Sequence, residues 1–111
     1  MYIVIKTTDD KITQTGSLFE AARGHWRLDP QHASQCSHAI ISIVGNKNIQ
    51  DVIKIDKWYE STLVDNKYVF SGQRDEQLFN QLVGKQLNSN LCIAGAQNPI
   101  QYVEEQNLLQ N

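Results

Sequence analysis

Ala39-Ile40-Ile41-Ser42-Ile43-Val44 is the stretch that most limits what this chain can fold into. An apolar run of this length, with no polar alternation and with turn residues after it, reads as a central, buried strand. The segments that follow read as its partners. Gly45-Asn46-Lys47-Asn48 has turn composition. Residues 49–57 read as a second strand, with Ile49, Ile53 and Ile55 on one face and Val52, Lys54 and Asp56 on the other. The two strands are most simply an antiparallel hairpin. Trp58-Tyr59 continues or bends the second strand, and Asp65-Asn66-Lys67 turns the chain. Tyr68-Val69-Phe70-Ser71 is then a third strand, broken at 72–74.

The N-terminal third predicts a strand over Tyr2–Thr7, a turn at Asp9-Asp10 and a brief extended piece over 11–15. Ser17 and Glu20 have capping-box spacing, so a short helix opens there, with Leu18, Phe19 and Ala22 on its apolar face. Gly24 suits the left-handed residue that stops such a helix. Asp29-Pro30 opens a second, mostly exposed helix over 31–37. Asp75 caps a third, to about Leu82, with Leu78, Phe79 and Leu82 at helical spacing. Gln97-Asn98-Pro99 is a turn, and 100–103 a last strand. The acidic, glutamine-rich end from about Glu104 reads as a surface helix or a frayed tail. With no repeat and no linker, 1–111 reads as one domain.

Composition narrows the function. A net charge of −2 argues against a protein that coats nucleic acid nonspecifically, but leaves room for a local basic site. Cys36 and Cys92 lie far apart and form no CxxC, which fits two free thiols in a reducing compartment. The start of the chain has no basic segment before its short apolar run, and no stretch is long enough to span a membrane, so the expectation is a cytoplasmic protein without a membrane partner. His32 and Cys36 stand four apart, with His25 and His38 nearby, but the set matches no standard zinc spacing. No phosphate-cradling glycine loop is present, and no nucleophile has a recognisable orienting acid. No cofactor or metal is therefore expected.

Three spaced signatures carry a resemblance. They are Glu20-Ala21-Ala22-Arg23-Gly24-His25-Trp26; Trp58-Tyr59 followed by Tyr68-Val69-Phe70-Ser71-Gly72; and Val83-Gly84-Lys85 followed by Asn98-Pro99-Ile100-Gln101-Tyr102-Val103. In their order the chain resembles the PUA-like superfamily of ASCH, EVE and YTH domains, and more closely bacterial domains with the same motifs. The resemblance implies an α+β fold: a small PUA-like β-barrel of five to six mostly antiparallel strands with two to three short helices. It also implies a cleft beside the first helix for RNA, DNA or a modified nucleobase. A flipped base needs a stacking surface and hydrogen-bond partners for its edge. On that reading Trp26, Trp58 and Tyr59 stack, Gln97 and Asn98 read an edge, and Arg23, Arg27, Lys54 and Lys57 meet phosphates.

Bland roles compete for the same residues. Trp26 and Trp58 suit a core, and Arg23 can neutralise a helix end or reach Glu20. Two rival functions remain. Some ASCH-like proteins are small amidohydrolases working with lysine, threonine and glutamate, and this chain has Lys6, Thr7, Thr8 and Glu60, though at no matching spacing. The other rival is a protein-interaction adaptor. Binding is preferred to catalysis.

Overall fold

The computed structural model describes residues 1–91 and 99–110. One mixed sheet holds β1 (Tyr2–Thr7), β2 (His38–Ile43), β3 (Asp51–Glu60), β4 (Tyr68–Arg74) and β5 (Ile100–Val103), in the order β4-β3-β2-β1-β5. β1 and β2 run parallel, with Ile3 opposite Ala39 and Ile5 opposite Ile41. The remaining pairs are antiparallel. A parallel pair needs a long crossover, and here it contains α1 (Asp9–Thr15), α2 (Leu18–Ala22) and α3 (Pro30–Ala33). α4 (Glu76–Leu82) follows β4.

The apolar run as far as Ile43 becomes the middle strand, with both of its faces covered, while Val44 falls past its end and is 60% exposed. Ile40 packs with Tyr2, Val4, Val52, Leu82 and Leu108 on one side. Ala39 and Ile41 pack with Ile3, Ile5, Ile53 and Phe70 on the other. A strand wet on neither face has no use for polar alternation.

The α+β class and the mostly antiparallel pairing hold; the closed barrel does not. The described strands form an open sheet, with β4 and β5 at its edges. The β4 edge is instead taken up by the chain that leaves α2. Trp26 and Tyr68 exchange backbone hydrogen bonds of 2.9 and 2.8 Å, and the Phe70 amide donates to the Arg23 carbonyl at 3.0 Å. This satisfies part of a row of backbone groups that an edge strand would otherwise expose.

The helices also depart from expectation, numbering four among the described residues. Residues 9–15 are helical rather than a turn and an extended piece. Thr8 caps α1 by accepting from the Lys11 amide at 3.1 Å, and Asp9 and Asp10 sit in its first turn, where carboxylates suit the helix dipole. The left-handed glycine closes α1: Gly16 has φ 95°. α2 starts as expected, with the Glu20 amide donating to Ser17 Oγ at 3.1 Å. It ends at Arg23, and Gly24 is not a left-handed stop, because positive φ among the described glycines occurs at Gly16, Gly45 and Gly84. Gly24 meets a different demand, because a Cβ there would lie 2.1 Å from Cγ1 of Val69. α3 is shorter than predicted, but Asp29 caps it, accepting from Gln31 at 2.9 Å.

In the meander, β3 begins at Asp51, so Ile49 lies outside the strand's alternation and packs on the opposite side of the sheet from Ile53. β4 continues through Gly72 to Arg74 beside a register shift between Ile55 and Lys57. Gly72 is where the backbones come closest: a Cβ would meet the Lys54 carbonyl oxygen at 2.3 Å. At the end of the chain, Glu105–Asn107 forms a 3₁₀ turn and Leu108 is buried. Cys92, Gln97 and Asn98 lie outside the described residues.

Candidate functional site

Where α1 and α2 meet the far ends of β3 and β4, they leave a cleft of about 380 Å³ lined by Lys11, Glu20, Arg23, His25, Tyr59 and Ser61, among others. Arg23 is fixed at the end of α2 by its backbone bond to β4. Its guanidinium spreads over three partners: Nε donates to the Phe70 carbonyl at 3.4 Å, Nη1 to Glu20 Oε2 at 3.4 Å, and Nη2 to the Tyr59 hydroxyl at 2.6 Å. Tyr59 is 36% exposed, so part of its ring faces solvent. Lys57 Nζ lies 5.8 Å from that ring's centre.

Lys11 reaches the same cleft from α1. Its ammonium sits 3.7 Å from the centre of the Trp26 ring, a cation–π contact. Burial pushes its pKa down, and the nearby Lys67 lowers it further. No ion pair to Lys11 is formed among the described residues. His25 Nδ1 is buried and also lacks a hydrogen-bond partner.

The expected site residues therefore separate. Arg23 and Tyr59 come together. Trp26 is only 8% exposed, with its Nε1 donating to the Ala22 carbonyl at 2.7 Å, so its ring supports Lys11 from beneath. Trp58 points to the opposite face of β3 from Tyr59 and packs on Phe70 at 5.0 Å, its Nε1 buried and unpaired. Arg27 borders another cavity, of about 410 Å³, with Asp29, Gln101 and Tyr102. Lys54 lies across from His38 in the sheet. The expected edge readers Gln97 and Asn98 fall outside the described residues.

Other candidates resolve into local packing. His32 stacks on Tyr102 at 3.8 Å, and the Cys36 thiol donates to the His32 carbonyl at 3.9 Å. Burial raises the pKa of that thiol. No cluster of three or more His, Cys, Asp or Glu able to hold a metal occurs among the described residues. Thr7 is buried and Thr8 is the α1 cap. The cleft does contain a lysine, a threonine and a glutamate, but Thr15 donates to the Lys11 carbonyl at 2.8 Å and Glu20 pairs with Arg23. No relay links the three side chains.

Two features carry no signal in the sequence. One is Lys11, whose helix carries no apolar stripe. The other is a chain of hydrogen bonds from Ser37 Oγ to His38 Nδ1 at 2.8 Å, and from His38 Nε2 to Asp75 Oδ2 at 2.9 Å. It has the order of a catalytic triad. The adjoining cavity of about 230 Å³, however, is lined by His38 and Asp75 and not by the serine. Asp75 also caps α4 through the Leu78 amide, so this chain ties α4 to the end of β2.

Fold and site together define a small α+β domain with a donor-rich cleft beside one edge of its sheet. No known family profile, curated protein or solved structure matches the chain. No helix among the described residues is long and apolar enough to cross a membrane.

Proposed function

We propose that this domain binds nucleic acid, or a modified nucleobase within it, in the cleft beside α2. The observation that carries the reading is the convergence of Lys11 and Arg23 with the partly open ring of Tyr59 in one concavity of about 380 Å³. That volume is within the range of about 300–1,000 Å³ typical of ligand sites. A chain of net charge −2 that gathers cations beside an aromatic ring has the means to hold a phosphate and stack a base. The PUA-like assignment belongs to this proposal, since an extruded base is what such domains receive. Tyr59, rather than either tryptophan, is the stacking side chain.

The amidohydrolase reading is weaker because Lys11, Thr15 and Glu20 are engaged separately. An adaptor would need a broad, continuous apolar patch, whereas the exposed large apolar side chains are Val44 on one loop and the neighbours Leu63 and Val64 on another, with Leu63 at the rim of the cleft beside Tyr59.

Fluorescence anisotropy with short RNA and DNA strands, carrying unmodified and modified bases at low salt, tests the proposal. The unaltered protein binds at least one strand, and Arg23→Ala and Tyr59→Ala each weaken binding about tenfold, equivalent to roughly 1.4 kcal/mol. Absence of binding to any strand at low salt overturns the reading.

A further inference from the structure

We propose that the cleft seats a phosphomonoester, the terminal phosphate of a nucleic-acid strand or of a free nucleotide. This inference rests on the reading above and narrows it.

The cleft holds more protons than acceptors. Arg23 Nη2 donates to the Tyr59 oxygen, which leaves the tyrosine's own proton free to donate. Ser61 Oγ accepts from the amides of Leu63 and Val64, both at 3.0 Å, so its proton too is available. Lys11 contributes an ammonium that lies over the Trp26 ring, which is not a hydrogen-bond acceptor of ordinary strength. His25 Nδ1 is a further buried polar atom with no hydrogen-bond partner among the described residues. Against these donors stands one carboxylate, Glu20, held to Arg23 by a single 3.4 Å contact and 48% exposed on its side chain.

Such a surplus calls for a ligand rich in acceptors and doubly charged. A phosphomonoester carries about −1.5 to −2 charge and three terminal oxygens near neutral pH. An internal phosphodiester carries one charge and has two non-bridging oxygens. Two cations and two free hydroxyl protons match the first better than the second. Arg23 supplies a planar fork and Lys11 a compact charge held in place by the ring beneath it.

The test compares one short single-stranded oligonucleotide in three forms, with a 5′-phosphate, with a 3′-phosphate and with hydroxyls at both ends. A nucleoside monophosphate and inorganic phosphate serve as competitors. One phosphorylated form is expected to bind at least tenfold tighter than the hydroxyl form. Lys11→Met keeps the aliphatic stem over Trp26 and removes the charge, and Arg23→Gln removes the fork; each is expected to erase the preference while circular dichroism stays unchanged. Glu20→Gln is expected to strengthen phosphate binding severalfold, a gain that misfolding cannot produce.

Equal binding of all three forms overturns this inference and leaves the nucleic-acid reading standing. Binding of the monophosphate or of inorganic phosphate, with no strand bound in any form, supports the phosphate seat and overturns the strand as its source. No binding in any arm overturns the phosphate seat, and the nucleic-acid reading falls with it only if the modified strands also fail to bind.

Discussion

Arg23 can stand at the β4 edge because the residue after it has no side chain. An alanine at position 24 would place its Cβ 2.1 Å from Val69 Cγ1, and an alanine at position 72 would place one 2.3 Å from the Lys54 carbonyl oxygen. The first neighbour is a side chain and the second is backbone, so the two substitutions should behave differently. Gly24→Ala is expected to cost about 1–3 kcal/mol, the usual range for overpacking. Adding Val69→Ala should return part of that loss, through a favourable coupling of about 1 kcal/mol in the double-mutant cycle. Gly72→Ala should cost more than Gly24→Ala and gain nothing from Val69→Ala. Urea denaturation of the three single variants and the two doubles measures this, and equal losses without rescue would contradict it. At this scale the sequence exposes types and hides partners. Arg23, Trp26 and Tyr59 all carry the same outward signal of a binding residue. Which one becomes structural depends on whether its polar group finds a nearby acceptor. Trp26 finds the Ala22 carbonyl four residues back, while Arg23 meets Tyr59 only across 36 residues of chain.

Among the elements, legibility follows the strength of the local signal. Capping patterns at Ser17, Asp29 and Asp75 opened helices where they stood. α1 was illegible as a helix because it buries no residue, so no apolar period announces it. Its only signs are the Thr8 cap and two carboxylates in the first turn, which also describe a turn. Because Lys11 lies on α1, missing the helix meant missing half of the cleft's charge. Asp75 shows how one cap serves two elements. The Leu78 amide, and after it the hydrogen bond from His38, hold its carboxyl below its ordinary value of 3.8. A depressed carboxyl stabilises the fold at pH above its unfolded value, and that contribution is lost as pH falls through the folded value. Urea midpoints should therefore drop on acidification below about pH 4, and Asp75→Asn should reduce that drop while lowering stability at pH 7. An unchanged acid response in Asp75→Asn would show that the cap carries no such linkage.

For the molecule as a whole, the apolar run at 39–44 implied more than a central strand. A strand dry on both faces obliges the chain to build two covering layers, and 111 residues must supply both. α2 and the segment after it, with Cys36 beyond α3, cover one side. α4 alone cannot cover the other, and the C-terminal segment completes it: Leu108 packs among Val4, Ile40, Leu82, Leu87 and Leu91. Composition obscured this role, since Leu108 and Leu109 are flanked by acidic and amide residues that read as a solvated end. Here the two faces of β2 are covered by separate layers packed on an open sheet. The consequence is measurable. Leu108 is 1% exposed, so Leu108→Ala should cost about 2–5 kcal/mol in urea denaturation, the range for a buried leucine. A loose end would give a change within about 0.5 kcal/mol, as surface substitutions do. Because α4 and the C-terminal segment share this layer away from the cleft, Leu108→Ala should lower stability without altering oligonucleotide affinity under conditions where the protein remains folded. A parallel loss of affinity would mean that the two layers are energetically coupled through the sheet.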